Sequence, residues 1–168
     1  FEPGTGSNVK SQDAVHKNGY SGKLYGSGGM VPTFLSHQIG WGRDPAPLIH
    51  FRGERIRDTL QALRGEAGDP HEGIQLQFVN PVTGKPVFAT LDYKAQLLRP
   101  GEASLPKRET CSTFIVVIDG KCKSDIGGQT FDWEANDIMV VPNLLWRRHI
   151  NTGSSDAVLY TVTDAALL

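Results

Sequence analysis

Residues 101–151, GEASLPKRETCSTFIVVIDGKCKSDIGGQTFDWEANDIMVVPNLLWRRHIN, carry the strongest fold signal in this chain of 168 residues. Short apolar runs alternate in this stretch with the turn residues Gly, Pro and Asn. Runs rich in β-branched and aromatic residues that end at turn residues are typical of short strands. Many such strands at close spacing indicate an antiparallel sandwich or barrel, so the expected fold class is all-β.

Apolar and polar residues also alternate, with a period of two, in segments on both sides of this stretch. Ile74, Leu76 and Phe78 alternate with glutamines, as in a half-buried strand, and PVFATLDYKAQLLRP predicts two more extended runs ending at Pro100. NPVTGKP, residues 80–86, has the composition of a turn. Turns are also expected at Asp119-Gly120 and Gly127-Gly128. The further predicted strands are 113–118, 121–125, 131–133, 138–141, 146–150 and 157–162.

The N-terminal part of the chain has a different character. Residues 1–50 are rich in Gly and Pro and lack any lasting apolar period, which predicts an irregular connector. Residues 51–72 are expected to form one short helix and a loop. Ile56, Leu60 and Leu63 share the helix face that should pack on a sheet, and Gly65 should end the helix. The barrel should then occupy residues 73–168.

Composition and cysteine content limit the possible classes of protein. The 17 basic and 18 acidic residues nearly balance, which argues against nucleic-acid or membrane-surface binding. No apolar run approaches the roughly 20 residues of a membrane span. The two cysteines, Cys111 and Cys122, should occupy unmatched positions on a hairpin. Two buried free thiols are therefore expected, and they indicate a cytoplasmic location.

A first set of fixed spacings begins at Gly101. Five residues lead to Lys107, one more residue separates it from Glu109, three more lead to Thr113, and six more lead to Gly120. This frame resembles the first motif of the cupin family, G(X)5HXH(X)3–4E(X)6G. The resemblance implies a cupin barrel, which is a double-stranded β-helix of the jelly-roll type.

A second set of spacings begins at Asn136. Five residues lead to Pro142, and the following steps reach Leu144, Arg147 and Asn151. This frame resembles the second cupin motif, G(X)5PXG(X)2H(X)3N, without a gap. The interval between the two frames also suits the family.

The cupin resemblance implies that four of these positions would hold a metal such as iron through three His and one Glu. Here Lys107 and Glu109 stand at the first two His positions, Thr113 at the Glu position and Arg147 at the third His position. Lysine and arginine are cations at neutral pH and cannot act as ordinary ligands. Glu109 alone cannot hold a metal, so no metal and no catalytic residue is expected in this chain.

A closer resemblance within the cupins is to the C-terminal domain of gentisate 1,2-dioxygenases and the related salicylate and 1-hydroxy-2-naphthoate dioxygenases. It rests on PVTGKPVFATLDYKAQLLRPGE, FDWEANDIMVVPNLLWRRHIN and AVLYTVTDAALL, covers about residues 48–168, and extends to the connector-like YGSGGMVP. Relatives with an intact second motif read WHEHxN where this chain reads WRRHIN. Arg147 thus stands at the ligand position, and His149 should also face the barrel interior.

The resemblance implies two copies of the cupin fold in one chain, with Fe(II) held by three histidines in the N-terminal cupin, which cleaves the aromatic ring. The C-terminal cupin of such enzymes often lacks metal and contributes packing and oligomer contacts. This chain is therefore expected to be the C-terminal, metal-free half, with an N-terminal cupin and further copies of the protein as partners. The alternative is a stand-alone, non-catalytic cupin that binds a small anion.

Three interpretations of the ligand pocket, Lys107, Glu109, Thr113, Arg147 and His149, remain open at this point. The charged side chains could form a buried ion cluster in the metal's place. The long cations could instead reach the barrel mouth and stay solvated, with Glu109 pairing one of them. In the third interpretation, Lys107 and Arg147 bind a small aromatic carboxylate or a phosphate.

Overall fold

The computed structural model describes residues 50–80 and 84–167. Almost all of the predicted connector lies outside the described residues, as do residues 81–83 of the predicted turn. The helix and all strands described below belong to one compact unit, formed by residues 52–78 and 86–168. His50, Phe51 and the described residues between 79 and 85 belong to a second unit.

One helix precedes eight strands in the compact unit. Helix α1 spans Gly53–Ala62, and a short 3-10 helix, Ala165–Leu167, follows the last strand. The strands are β1 (Ile74–Gln77), β2 (Asp92–Leu98), β3 (Thr113–Asp119), β4 (Lys121–Ile126), β5 (Gln129–Glu134), β6 (Ile138–Val141), β7 (Arg147–Asn151) and β8 (Ala157–Thr163).

The strands form two antiparallel sheets. The larger sheet has the order β1-β2-β8-β3-β6 and the smaller one the order β5-β4-β7. The turn from β3 to β4 lies at Gly120, whose φ of 88° lies in the left-handed region. A Cβ there would come within 2.8 Å of the Cα of Ala157, so only glycine fits. The two strands enter different sheets and do not form the hairpin expected from the sequence. The two antiparallel sheets confirm the all-β, jelly-roll-like prediction.

Two apolar clusters hold the unit together. The first combines side chains from both sheets: Leu98, Ile115, Val117, Cys122, Ile126, Trp133, Val141, Ala157 and Leu159. The second lies where α1 packs on the larger sheet, with Leu60 fully buried against residues such as Ile74, Leu97 and Val158. The cysteines are buried and free, as predicted.

Three further details differ from the sequence-based expectations. Helix α1 ends at Ala62, and its C-cap is Leu63, whose N–H donates to the Thr59 carbonyl, so Gly65 does not end the helix. Leu63 is 36% exposed and does not share the burial of Leu60. PVFATLDYKAQLLRP contributes one strand, β2, because residues 87–90 form bends and Pro86 makes only an isolated bridge.

An apolar surface continues beyond the part of the larger sheet that α1 covers. Phe114 on β3 lies opposite Val140 on β6, and Val116 lies opposite Ile138. We define the β3–β6 face by four exposed side chains, Phe114 (39%), Ile118 (38%), Ile138 (61%) and Val140 (63%). Among the described residues, no helix has both the length and the apolar character needed to cross a bilayer.

Candidate functional site: an ion cluster at the motif positions

The first motif runs alongside the last strand of the second motif. Lys107 and Arg147 form an antiparallel bridge in which each backbone N–H donates to the other's carbonyl at 2.8 Å. A second bridge joins Ala103 to Ile150. Because residues directly opposite in an antiparallel pair project to the same face, the side chains of Lys107 and Arg147 lie side by side.

These side chains meet two carboxylates. The Lys107 ammonium lies 2.7 Å from Glu109 Oε1 and also pairs with Glu72. The Arg147 guanidinium donates to Glu109 Oε2 at 2.6 Å and to Thr113 Oγ1 at 2.8 Å, and lies 3.8 Å from Glu72. We call Glu72, Lys107, Glu109 and Arg147 the ion cluster. The structure thus brings Lys107, Glu109, Thr113 and Arg147 together and does not leave the cations separately solvated.

Burial differs among the members of the ion cluster. The side chains of Arg147 and Glu72 are only 8% and 10% exposed, whereas those of Lys107 and Glu109 retain 27% and 23%. The outer pair therefore keeps some contact with solvent, and the inner pair depends on its protein partners for charge compensation.

Glu72 comes from a loop that neither motif includes. Asp69 Oδ1 accepts hydrogen bonds from the backbone N–H groups of His71 and Glu72, and Asp69 and Gly73 exchange two backbone hydrogen bonds. The Leu105 N–H donates to the Pro70 carbonyl, which fixes this loop on the first motif. Sequence reasoning missed Glu72 because it lies 35 residues before Lys107 and outside both spacings.

Electrostatics keep both outer members of the cluster charged. For Lys107, burial alone would lower the pKa, but hydrogen bonds with Glu109 and Glu72 outweigh it and raise the pKa. For Glu109, burial acts to raise the pKa, but the hydrogen bond from Lys107 and the charge of Arg147 lower it overall. Each group is thus held in its charged form by the other.

His149 is buried but lies outside the ion cluster. Its Nδ1 is 2.6 Å from the hydroxyl oxygen of Ser124 on β4, and its ring packs 5.9 Å from that of Trp133. Burial, with a smaller contribution from the charge of Arg147, lowers the pKa of His149 to about 3. The imidazole is therefore neutral at physiological pH and acts as a hydrogen-bonded interior residue.

The second motif keeps its backbone conformation although its glycines are replaced. Asn136 and Leu144 stand at the two glycine positions, and both have left-handed φ angles, 78° and 62°. Asn151, at the last motif position, is buried and donates from Nδ2 to the carbonyls of Leu98 and Ser155. These residues preserve the shape of the motif independently of any ligand.

A cavity of about 780 Å³ adjoins the ion cluster, and Glu72 and Lys107 form part of its lining. It lies between the loop that carries Glu72 and the first motif. Arg108 stacks over the Trp146 ring at 5.9 Å, and both residues line the cavity. Three carboxylates, of Glu66, Asp69 and Glu72, face two cations there, so the cavity has no net positive charge that would select an anion.

The residues at the motif positions do not fit a metal ion. Two of the four are permanent or near-permanent cations, and Thr113 accepts a hydrogen bond from Arg147. Glu109, the only anionic donor among the four, is already bound by both cations. Within residues 50–80 and 84–167, no group of three His, Cys, Asp or Glu side chains is arranged to hold a metal.

Sequence comparisons identify proteins that are similar to this chain. The Cupin domain family matches residues 95–163. The 5-aminosalicylate 1,2-dioxygenase of a Comamonas species is 35% identical over 138 residues, which cover 80% of this chain and 37% of that protein. Gentisate 1,2 dioxygenase 1 of Aquipseudomonas alcaligenes is 31% identical over 165 residues, which cover 98% of this chain and 45% of that protein.

A solved structure agrees with these matches. The crystal structure of a salicylate 1,2-dioxygenase from Pseudaminobacter salicylatoxidans superposes with a TM-score of 0.75 at 25% sequence identity. The match covers 88% of this chain and 42% of that one. The chain therefore spans less than half the length of each of these three relatives.

Proposed function

Because this chain is a cupin domain of the gentisate 1,2-dioxygenase family, we propose that it is the C-terminal, metal-free half of an Fe(II)-dependent enzyme that cleaves aromatic rings. In this proposal the iron and the catalytic residues belong to an N-terminal cupin of the same polypeptide. The role of the present half is structural: it supports that cupin and contributes contacts between copies of the protein.

This proposal rests on the observation that the chain matches less than half the length of each relative. The matched region is 37% of the 5-aminosalicylate dioxygenase and 45% of the gentisate dioxygenase. Each relative therefore has more than half of its length outside the match, enough for a second domain of similar size. We therefore assign the catalytic half to the same additional length in the parent protein, by which we mean the longer polypeptide to which this chain would belong.

The chemistry of the ion cluster supports assigning the iron to the other half. A non-haem iron site needs neutral imidazoles and a carboxylate, with open positions for substrate and oxygen. This barrel presents Lys107 and Arg147 at two of the three His positions, and both are engaged by carboxylates. His149 is directed to Ser124, so it does not replace a missing ligand.

The test compares two proteins. The parent reading frame should encode a second cupin with an intact His-X-His motif upstream of this chain. The purified parent, loaded with Fe(II), should consume oxygen and cleave gentisate or a related hydroxybenzoate, whereas the 168-residue chain alone should not. Ring cleavage by the chain alone, or a reading frame without an upstream cupin, would refute the proposal.

No described feature favours the alternative, a stand-alone binding module for small anions. In the ion cluster two carboxylates balance two cations, and the cavity that adjoins it has no positive excess. An anion would therefore have to displace Glu72 or Glu109 from its present partners.

A further inference from the structure

We infer that the ion cluster is the structural cross-link of this barrel, standing where the cupin motifs place a metal, with Glu72 as its closing member. This inference concerns the present chain alone. It holds or fails independently of whether an N-terminal cupin cleaves aromatic rings.

The first argument is the connectivity of the cluster. A metal bound at the motif positions would join the first motif segment to β7 and β3. The ion cluster joins residues 107–109 of the first motif to Arg147 on β7, and the hydrogen bond from Arg147 to Thr113 extends this connection to β3. Glu72 adds a connection that the motifs do not contain, because it links the loop after α1 to both cations.

The second argument is charge balance. The cluster contains two cations and two carboxylates, and each cation contacts both carboxylates within 4.0 Å. Its formal charge is therefore zero. A divalent cation entering this position would meet two positive groups and would have to compete with both for every carboxylate oxygen. The arrangement thus excludes a metal while filling its place.

The third argument is burial, which separates this cluster from ordinary surface ion pairs. Arg147 and Glu72 are about nine-tenths buried, whereas Lys121 and Glu134, an ion pair between β4 and β5, are each 66% exposed. Removing one partner of a buried pair leaves a charge without compensation, which destabilises a protein strongly. Removing one partner of an exposed pair costs little, because water solvates the remaining charge.

The experiment uses the 168-residue chain and three matched substitutions, Glu72→Gln, Glu109→Gln and the control Glu134→Gln. Thermal unfolding should show a fall in melting temperature of roughly 5–10 °C for each of the first two. The control should fall by less than about 2 °C. If Glu72→Gln behaves like Glu134→Gln, Glu72 is not a member of a cross-link and the inference is wrong.

A double-mutant cycle distinguishes a cross-link from local damage to the loop. Lys107→Met combined with Glu72→Gln should lower the melting temperature by clearly less than the sum of the two single effects, because each removes the same interaction. The corresponding cycle on Lys121 and Glu134 should be additive. Additive effects for Lys107 and Glu72 would overturn the inference. If Glu72→Gln does not fold, Glu72→Asp replaces it under the same criteria.

Exclusion of metal is measured on the wild-type chain. Anaerobic incubation with Fe(II), and separately with Zn(II), should leave the melting temperature unchanged, and the dialysed protein should contain only traces of either metal. Treatment with EDTA should likewise have no effect. Stoichiometric binding of either metal, accompanied by a higher melting temperature, would contradict a barrel that is cross-linked by ion pairs.

Discussion

Among single residues, Asn136 and Leu144 keep the left-handed backbone conformation at the glycine positions of the second motif, although neither is glycine. Leu144 stands at a glycine position of the motif with φ at 62°, and its side chain is 51% exposed. A left-handed conformation costs an L-residue with a side chain roughly 1–2 kcal/mol, whereas glycine adopts it freely. The Leu144→Gly variant should therefore be more stable.

The expected gain in the free energy of unfolding is about 0.5–1 kcal/mol, because the greater chain entropy of glycine in the unfolded state offsets part of the relieved strain. Chemical denaturation measures this difference directly. The matched control is Leu105→Gly, since Leu105 is equally exposed (52%) but has no left-handed φ. Unchanged or reduced stability of Leu144→Gly would show that its side chain contributes more than its backbone costs.

His149 gives the barrel a defined response to acid. Its pKa is lowered to about 3 in the fold, mainly by burial, from an ordinary value of about 6.5. Between these values the unfolded chain binds a proton that the folded chain does not, so stability falls as the pH falls. The contribution is complete above about pH 6.5 and is lost by roughly 1.4 kcal/mol per pH unit below it.

Urea denaturation at pH 7.5 and pH 5.5 tests this response. Wild-type protein should lose about 1 kcal/mol more than His149→Gln between these two conditions, because glutamine does not titrate. The His71→Gln variant, which replaces an exposed histidine, controls for the loss of any one imidazole. An identical pH dependence in wild-type protein and His149→Gln would show that His149 is not buried in the neutral form.

At the scale of elements, turn chemistry and side-chain period predicted the strands well. The strand of residues 138–141 was predicted with its exact limits, because the left-handed Asn136 precedes it and Pro142 follows it. The other strands from β3 onward differ by one or two residues at their ends. Local signals did not locate Glu72, because its role depends on a contact between a loop and a strand far apart in the sequence. They also missed the end of α1, which backbone hydrogen bonds set before Gly65.

The β3–β6 face is a candidate surface for contacts between copies of the chain. Strand β6 ends the larger sheet among the described residues and carries no charge, although exposed edge strands usually carry charges that prevent association. If this face forms contacts between copies, Val140→Lys should reduce the molecular mass of the assembly in solution, because a charge buried in the contact would oppose association. Light scattering after size exclusion measures this change.

Phe131→Lys is the matched control for Val140→Lys. Phe131 is an exposed apolar residue on β5, which ends the smaller sheet, so its replacement should leave the assembly unchanged. A monomeric wild-type chain, or an assembly that Val140→Lys does not alter, would exclude this face as a contact between copies.

For the molecule as a whole, the sequence predicted the barrel but not how the charged residues at the motif positions are paired. The short strands between turn residues predicted an antiparallel sandwich or barrel, and the resemblance of both motif frames to the cupin motifs implied the barrel. The same frames located the positions of Lys107, Glu109, Thr113 and Arg147, which the structure brings together. They could not decide between solvated and paired cations, because the deciding partner, Glu72, lies outside them.

Our proposal assigns the iron to an N-terminal cupin and none to this chain. The most direct measurement is the iron content of the 168-residue chain after anaerobic reconstitution with Fe(II) and removal of unbound metal, with the parent protein treated in parallel. We expect only traces of iron in the chain and one iron per polypeptide in the parent. One iron bound per molecule of the isolated chain would contradict it.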